Sequence, residues 1–312
     1  MKKLLLVIGA IHSVACVSLY PQSGSPVRPL SAEAGEKWVI RWDRSDDFNG
    51  NQIDWRKWQK NPENFSAWTW NNERNASVSD GFLKLTMCFD ERASQESKPN
   101  ASKTHPHFTS AMLKSYRTGV YGYYEARIKG APMFPGVCPA FWLYSRIDDS
   151  LEQSGAVRYS EVDVVEMTQR SGHEGGNERI TDHNLHAIRS NGKKGIAGRE
   201  WQRPNDPRYR EKQAIEYHAP FDPRDDFHTY GCRVGKREII WYVDGVEVGR
   251  KPNEFWHREM NVVLSLGLRA PYAVFTANRL VANPDQDPDG FPTSALVDYV
   301  RVWELVDSVS LE

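Results

Sequence analysis

The sequence predicts an all-β protein built as a sandwich of antiparallel sheets, and three observations support this. Short runs rich in aromatic and β-branched residues alternate with turn signals, which is typical of strands. Hardly any stretch has the 3.6-residue periodicity of an amphipathic helix. Asp80-Gly81 and Asp244-Gly245 separate such runs, and Asp-Gly favours two-residue hairpin turns. The predicted strands cover residues 76–78, 82–87, 122–128, 141–144, 161–166, 184–188, 229–234, 238–243, 262–268 and 296–303.

Length and composition indicate one domain that does not bind nucleic acid. A chain of 312 residues exceeds the usual domain length, but β-sandwiches of this size are often a single unit. Its 40 Lys and Arg nearly balance its 41 Asp and Glu, so the chain lacks the excess of basic residues that would hold a nucleic-acid backbone. Many of its 11 Trp and 13 Tyr lie in polar stretches, where flat rings suit sugar faces. We expect a monomer.

The N-terminal sequence predicts an export signal followed by a tether. Lys2 and Lys3 precede an apolar run that is too short to span a membrane, so residues 1–16 are predicted to be a signal peptide. The segment before Cys16 loosely resembles a lipoprotein signal, although the usual Leu three positions earlier is missing. We therefore expect a secreted or periplasmic protein, or an outer-membrane lipoprotein. Residues 17–36 have the Ser, Pro and Gly content of a linker.

The folded domain is predicted over residues 37–307, with a tail at 308–312 and no transmembrane span. After removal of the signal the remaining cysteines are Cys88, Cys138 and Cys232, together with Cys16 if it is retained, and we expect at most one disulfide. No CxxC spacing occurs, which argues against structural zinc. Long polar loops are usually functional or mobile, and we predict them at residues 90–108, 168–182 and 196–218.

The densest chemical signal is the segment Ser160-Glu161-Val162-Asp163-Val164-Val165-Glu166-Met167. Its valines indicate a strand. On a regular strand Glu161 and Asp163 share one face, whereas Glu166 points to the other face and into the core, where an unpaired carboxylate is costly. We therefore predict a one-residue bulge around Val164 and Val165, which turns all three acids to the same face.

Three carboxylates on one face predict glycoside hydrolysis with retention of configuration. Repulsion and burial raise at least one of their pKa values. The retaining mechanism needs this difference, because one group attacks as an ionised nucleophile while the other donates a proton to the leaving oxygen. We predict Glu161 as nucleophile, Asp163 as its hydrogen-bonded helper and Glu166 as acid/base. The alternative is a solvated acidic edge strand, although edge strands more often carry Lys.

The ExDxxE pattern on a strand resembles the signature of glycoside hydrolase family 16 in its bulged form. Further segments match that family in order, namely Asp46-Asp47-Phe48-Asn49-Gly50 with Asp54 and Trp58, GYYEARIK at 122–129, PAFWL at 139–143, WYVDG at 241–245 and VDYVRV at 297–302. Asp47 stands where the family usually has Glu. The resemblance implies a jelly-roll sandwich of two curved sheets with an open cleft on its concave face. It also implies a retaining, endo-acting enzyme that needs no cofactor for catalysis, with the same three acids in the same roles.

Strand geometry and the same resemblance predict side chains that bind sugar. Trp142 shares a strand face with Arg146, and the family places this Trp beneath the sugar next to the cleavage point. Residues 68–75 resemble a segment of the cleft rim, and His186 resembles a histidine that lines the cleft. The predicted substrate-binding residues are Trp70, Asn72, Arg74, Trp142, Arg146, His186, Glu254 and Trp256. Ordinary packing or loop anchoring is the alternative for each.

Two arginines suggest a charged substrate. Guanidinium groups bind sulfate through paired hydrogen bonds, and neutral agarose does not require them. With the CPAFW segment, Arg74 and Arg146 look most like the porphyranase branch of the family, so we expect cleavage of β-1,4 galactosidic linkages in sulfated porphyran, a red-algal galactan. β-Agarase is the first alternative. Laminarinase, carrageenase and a non-catalytic carbohydrate-binding protein are more remote ones. Pairing of each arginine with a nearby acid would remove the argument for sulfate.

The resemblance also implies a structural calcium far from the cleft. Many family members hold it with an acid of the opening motif, a backbone carbonyl and the Asp of the last strand. The matching positions here are Asp47, Gly81 and Asp298. Oxygen ligands of this kind suit Ca²⁺, and the ion would serve stability and not chemistry.

Overall fold

The fold is seen in a computed structural model that describes residues 28–63, 67–96, 107–168, 177–276 and 279–306. In these residues the chain forms nineteen strands and only short helices. The helices α1–α3 are Asn72–Asn75, Glu91–Glu96 and Arg210–Gln213. The strands β1–β19 are Trp38–Ile40, Trp68–Trp70, Ala76–Ser79, Phe82–Phe89, Phe108–Ser110, Met112–Gly119, Gly122–Lys129, Val137–Tyr144, Val157–Met167, Ile180–Ser190, Arg199–Gln202, Ala214–His218, His228–Val234, Glu238–Val243, Val246–Pro252, Met260–Leu268, Ala273–Thr276, Arg279–Ala282 and Thr293–Leu305.

Ten strands form a large sheet, here called the outer sheet. Their order is β15-β14-β13-β7-β19-β4-β5-β2, with β1 paired to β19 and β3 paired to β4. Neighbouring strands are antiparallel except β2 and β5, which run parallel. The strand β19 lies between β7 and β4, in the middle of this sheet, although it follows all the other strands that the structure describes.

Seven strands form the second sheet, here called the cleft sheet. Their order is β11-β10-β9-β8-β16-β6, with β12 paired to β10, and all neighbours are antiparallel. The two remaining strands, β17 and β18, form a separate hairpin. The structure is therefore an all-β jelly-roll sandwich, and the predicted fold class is confirmed.

The two sheets enclose one apolar core. Along β4 the inward residues Leu83, Leu85 and Met87 are at most 2% exposed, whereas Lys84 between them faces solvent. This alternation is expected for a strand with one buried face. Burying each such side chain contributes roughly 1.5–3 kcal/mol. The core therefore fixes which face of each strand looks outward, and with it the face that carries the cleft.

Two predicted hairpin turns have the expected backbone conformation. Asp80 and Gly81 have φ of 55° and 81°, and Asp244 and Gly245 have φ of 49° and 78°. A two-residue turn of type I′ requires positive φ at both central positions, which Asp and Gly tolerate better than most residues. These turns join β3 to β4 and β14 to β15.

All ten predicted strands overlap strands of the structure, but the sequence left several others unidentified. The missed strands are mostly short or lie at sheet edges. In particular, residues 196–218, predicted as one loop, contain β11, α3 and β12. Cys88, Cys138 and Cys232 are all free thiols.

The predicted signal peptide at residues 1–16 and part of the predicted linker lie outside the described residues. Of that linker, residues 28–36 are described, and the Glu36 carboxylate accepts a hydrogen bond from Arg233 of β13 at 2.7 Å. The domain boundaries and the cellular location stay predictions. No helix in the described part of the chain combines the length and the hydrophobicity needed to cross a bilayer.

Candidate active site

The strand β9 carries the acids, and its register shifts at Val164. Toward β8, the adjacent residues Phe141 and Trp142 pair with Val165 and Asp163, so Val164 has no partner there. Toward β10, the register is irregular at the same place. One extra residue in a strand is the definition of a β-bulge. The bulge predicted from the sequence is therefore present.

The bulge turns the three acids to one face. Glu161, Asp163 and Glu166 all line the same open cleft on the cleft sheet. On a regular strand Glu166 would point into the core, yet its side chain is 15% exposed and faces the cleft. The valines between the acids remain fully buried in the core: Val162, Val164 and Val165. The strand thus satisfies both requirements, an apolar inner face and an acidic outer face.

Glu161 is held by a hydrogen bond from its own strand and by an ion-pair contact from the neighbouring strand. The Tyr159 hydroxyl donates to Oε2 of Glu161. The other oxygen, Oε1, lies 3.6 Å from Nε2 of His186, which is opposite Glu161 on β10. A carboxylate with its orientation fixed in this way presents a defined oxygen to the cleft, as a nucleophile requires.

Asp163, which is buried, and His186, which is partly exposed to the cleft, form a pair beside Glu161. Their Oδ2 and Nε2 atoms are 3.3 Å apart. Burial, followed by the charges of Glu166 and Glu161, raises the pKa of Asp163 well above its usual range. Burial alone would lower the pKa of His186, but the negative charge of Glu161 and the contact with Asp163 outweigh it and raise this pKa to about 9. His186 therefore carries a positive charge at neutral pH and offsets the acids.

Glu166 has a different environment from Glu161. Its Oε1 accepts a hydrogen bond from Nη2 of Arg269 at 3.0 Å, and its Oε2 accepts one from the side-chain amide of Asn184 at 3.2 Å. The two glutamates are thus oriented by separate sets of side chains. Such a difference is what a site needs when two carboxyl groups have different roles.

On one side of the acids the cleft is aromatic. This region, the aromatic half, encloses about 730 Å³. The Trp142 ring stacks on Tyr144 with centroids 4.7 Å apart, and its indole N–H donates to Ser265 at 3.0 Å, so the ring is fixed in place. Rings held with a face toward a cleft suit the apolar faces of sugars. The aromatic residues that line this half are Trp68, Trp70, Trp142, Tyr144, Tyr159 and Trp201.

On the other side the cleft is rich in arginine. This region, the arginine half, encloses about 710 Å³ and shares Glu161, Glu166 and Arg269 with the aromatic half. The guanidinium of Arg203 lies 4.4 Å from the centre of the Trp201 ring. The other side chains at this end include Asn184, His186, Arg210 and Phe275. The acids thus lie at the junction of two regions that together form a long groove, the shape expected for cutting within a polymer.

Four of the predicted substrate-binding residues line the cleft. Trp70, Trp142 and Arg146 lie in the aromatic half, and His186 lies in the arginine half. Their contacts with substrate stay predictions. Sequence reasoning missed Trp201, Arg203 and Arg269. The first two lie in the stretch interpreted as one long loop, and nothing in the local sequence around Arg269 indicated that its side chain reaches Glu166.

The other four do not line either half of the cleft. Two of them are buried, which corrects their assignment. Asn72 is 1% exposed, and its side chain bonds the backbone of Met112 in both directions, so it anchors α1. Trp256 is 2% exposed and donates its indole N–H to the His186 carbonyl.

Arg74 and Glu254, the two charged residues among these four, form ion pairs with residues that do not line either half of the cleft. Arg74 bonds Asp90 at 2.7 Å, and Glu254 accepts a hydrogen bond from Lys212 at 2.7 Å. Because Arg74 pairs with an acid, as the alternative interpretation expected, it no longer supports a sulfated substrate.

The positions predicted to hold calcium do not favour a cation in this arrangement. Asp47 accepts a hydrogen bond from Arg301 at 2.7 Å, and Asp298 accepts one from Arg127 at 2.7 Å. Gly81 lies in the turn between β3 and β4. A bound Ca²⁺ would have to compete with two guanidinium groups for these carboxylates. The calcium site stays a prediction.

One cluster among the described residues has the geometry of a metal site, namely Glu161, Asp163 and His186, whose potential ligand atoms lie within 4.8 Å of one another. The raised pKa of His186 means that a metal would have to displace a proton from its imidazole, which weakens metal binding at neutral pH. The cluster is therefore better explained as part of the acid site.

The chain resembles known polysaccharide hydrolases over most of its length. The family model described as beta-porphyranase A-D, GH16 domain, matches residues 38–305. The chain is 47% identical over 300 residues to the kappa-carrageenase of Pseudoalteromonas carrageenovora, covering 93% of this chain and 70% of that protein.

Solved structures of similar proteins have the same fold. The kappa-carrageenase zobellia_236 from Zobellia galactanivorans superposes with a TM-score of 0.79 at 45% identity, covering 90% of this chain and all of that one. A second structure, with TM-score 0.78, 47% identity and the same coverage, is named a 1,3-α-1,4-β-D-galactose-4-sulfate-3,6-anhydro-D-galactose 4 galactohydrolase.

These comparisons correct the predicted substrate. Beta-porphyranase B of Zobellia galactanivorans is only 24% identical over 284 residues, about half the identity found with kappa-carrageenase. The prediction of porphyran as substrate is therefore wrong, and carrageenase, which we placed among the remoter alternatives, is favoured. Arginines indicate a sulfated glycan but do not distinguish one sulfated galactan from another. The shared fold, the bulged strand and the matching family model show that the chain belongs to glycoside hydrolase family 16 and is an endo-acting glycosidase of its porphyranase, agarase and carrageenase branch.

Proposed function

We propose that this enzyme hydrolyses the β-1,4 linkages of kappa-carrageenan within the polymer and retains the anomeric configuration. The observation that carries the proposal is the 47% identity to a kappa-carrageenase across 93% of the chain. The match extends over most of the chain and is not confined to the catalytic motif.

The charge of the cleft agrees with a sulfated substrate. Among the described residues, Arg146 of the aromatic half and Arg203 of the arginine half line the cleft without a carboxylate within ion-pair distance. Arg199, by contrast, is bound to Asp149 through two hydrogen bonds. A free guanidinium can form two parallel hydrogen bonds with a sulfate group. Arg146 and Arg203 are therefore our candidates for sulfate recognition.

The three acids supply the chemistry of retention. Glu161, oriented by Tyr159, attacks the anomeric carbon and forms a glycosyl-enzyme. Glu166 donates a proton to the departing oxygen and then removes one from the water that hydrolyses the intermediate. Asp163 and the positively charged His186 lie beside Glu161 and limit the repulsion between the acids.

A panel of polysaccharides tests this function. Release of reducing ends is measured from kappa-carrageenan, iota-carrageenan, porphyran, agarose and laminarin at equal mass. We expect kappa-carrageenan to be cleaved at least about tenfold faster than any other, because one mismatched sulfate contact costs about 1.5–3 kcal/mol. Faster cleavage of any other polymer in the panel would contradict the proposal. The anomeric signal of the first product, followed by NMR, tests retention separately.

A further inference from the structure

The bulge in β9 leaves backbone carbonyl groups that need hydrogen-bond donors from outside the ladder. Val164 is out of register with both neighbouring strands. It is fully buried, as is its neighbour Val165, and Asp163 is 3% exposed. A buried carbonyl without a hydrogen bond costs free energy, so the carbonyl groups of the bulge need donors from other parts of the chain.

The first partner is a histidine behind the site. Nδ1 of His183 lies 2.6 Å from the Val164 carbonyl, and Nε2 lies 3.0 Å from the Thr181 hydroxyl. A carbonyl can only accept, so Nδ1 carries the proton. Burial lowers the pKa of His183 to about 4, which leaves Nε2 free to accept from Thr181 at neutral pH. One tautomer is therefore fixed by the contacts at both ends of the ring.

The second partner comes from the opposite sheet. The indole N–H of Trp241, on β14 of the outer sheet, donates to the Asp163 carbonyl at 2.8 Å. Trp241 is fully buried and belongs to the core. The two consecutive carbonyls of the bulge are thus each bound by a rigid, buried ring. Neither ring lines the cleft, whereas Asp182 and Asn184 on either side of His183 do.

We propose that His183 and Trp241 are positioning residues that hold the bulge of β9, and through it the relative placement of Glu161, Asp163 and Glu166. Without the extra residue the strand would revert to simple alternation, and Glu166 would turn toward the core. A hydrogen bond to each carbonyl of the bulge stabilises the irregular backbone over the regular one. This inference depends on the proposed roles of the acids but not on which galactan is the substrate.

Matched variants separate positioning from packing. His183→Leu removes the donor, whereas His183→Asn retains an N–H close to the position of Nδ1. We expect His183→Leu to lower kcat by about 100-fold with KM within about threefold, because displacement of a catalytic group by about 1 Å costs this much. His183→Asn should restore most of the activity. Trp241→Phe, which keeps a ring but loses the indole N–H, should lower kcat by about tenfold by the same argument.

Leu83→Ala is the control for stability, because it creates a cavity in the core beneath the outer sheet, on a strand that does not pair with β9. It should lower the melting temperature without lowering kcat at 25 °C. Wild-type kcat in His183→Leu would refute the proposal. The proposal would also be refuted if His183→Leu and His183→Asn lost the same amount of kcat. A loss of kcat in Leu83→Ala as large as that in His183→Leu would refute it as well. If His183→Leu does not fold, His183→Asn and Trp241→Phe test the proposal in its place. Wild-type kcat in Trp241→Phe would also refute the proposal.

A crystal structure of the Trp241→Phe or His183→Leu variant gives a readout that needs no substrate. We expect Glu166 to lose its contact with Arg269, which is 3.0 Å in the native chain. An unchanged bulge in the variant would contradict the inference. An inactive wild-type enzyme on the whole polysaccharide panel would instead contradict the proposed function, and the crystallographic result would still stand.

Discussion

The two halves of the cleft share the catalytic acids but offer opposite kinds of contact. The aromatic half provides rings fixed by stacking and hydrogen bonds, as Trp142 is by Tyr144 and Ser265. The arginine half provides charge on longer side chains, such as Arg203 above the Trp201 ring. Ring contacts are insensitive to salt, whereas contacts between exposed charges weaken as ionic strength rises. We infer that the first half positions the sugar at the cleavage point, and that Arg203 in the second half, together with Arg146 in the first, selects a sulfated chain.

The largest effect is expected from the acids at the junction of the halves. Glu161→Gln should abolish measurable turnover, and Glu166→Gln should lower kcat by about 10²–10⁴-fold, because each loses a chemical step and not a binding contact. Reducing-end release measures turnover, and affinity electrophoresis in a kappa-carrageenan gel measures binding, which should persist. Glu238→Gln, on the outer sheet, is the control. Wild-type turnover in either active-site variant would refute the assignment.

The next effect concerns the aromatic half. Trp142→Ala should lower kcat/KM by roughly 30-fold, equivalent to about 2 kcal/mol for an aromatic anchor in a binding site. The loss should be the same at 50 and 500 mM NaCl, since stacking involves no net charge. Trp42→Ala, at an exposed tryptophan away from the cleft, serves for comparison. A loss that shrinks with added salt would show that the two halves do not divide the work as inferred.

A smaller, salt-dependent effect is expected in the arginine half. Arg203→Gln should lower kcat/KM on kappa-carrageenan by about five- to tenfold at low salt, the value of one partly solvated contact with a charged group. The loss should shrink at high salt and on chemically desulfated oligosaccharides. Arg208→Gln is a close control, because Arg208 lies nearby but binds Asp206. Equal losses on sulfated and desulfated substrates would remove sulfate recognition from Arg203.

The smallest effect is on stability at alkaline pH. The pKa of His186 is raised in the folded state to about 9, so the protonated form stabilises the fold fully below about pH 6.5 and this contribution is lost as the pH rises through about 9. The melting temperature of the native chain should therefore fall about 2–5 °C more between pH 6.5 and 9.5 than that of His186→Gln. His218→Gln, at an exposed histidine, should behave like the native chain. Identical pH profiles for the native chain and His186→Gln would contradict the charge assigned to His186.

The bulge of the catalytic strand could be predicted because its apolar and acidic residues cannot all face the correct side of a regular strand, and a bulge resolves this conflict. Valines at 162, 164 and 165 and acids at 161, 163 and 166 cannot satisfy both faces of a regular strand. A bulge at Val164 resolves the conflict, and the structure has it there. The hairpin turns could be predicted for a similar reason, since few dipeptides other than Asp-Gly tolerate positive φ at both positions.

The lateral contacts of the site could not be predicted, because they join residues far apart in the chain. Arg269, at the end of β16, binds Glu166, and the local sequence does not show that these two residues are close in space. Asn72 was assigned to the cleft because its segment resembles a cleft rim, and Trp256 because it follows a predicted strand, yet both are buried and bind backbone atoms. Neither observation distinguishes a side chain that faces substrate from one that anchors a loop. The substrate was misassigned because a guanidinium recognises sulfate on any galactan.

The place of β19 in the outer sheet has a consequence for biosynthesis. Its residues are made after those of the other eighteen described strands, yet they pair with β4 and β7 at the centre of the sheet. A nascent chain that has not reached residue 293 therefore lacks the strand that joins the two parts of that sheet. Pairing between segments so distant in the chain is also slow. The polypeptide should stay unfolded through most of its synthesis, the condition in which the export predicted from its N-terminal sequence takes place most readily.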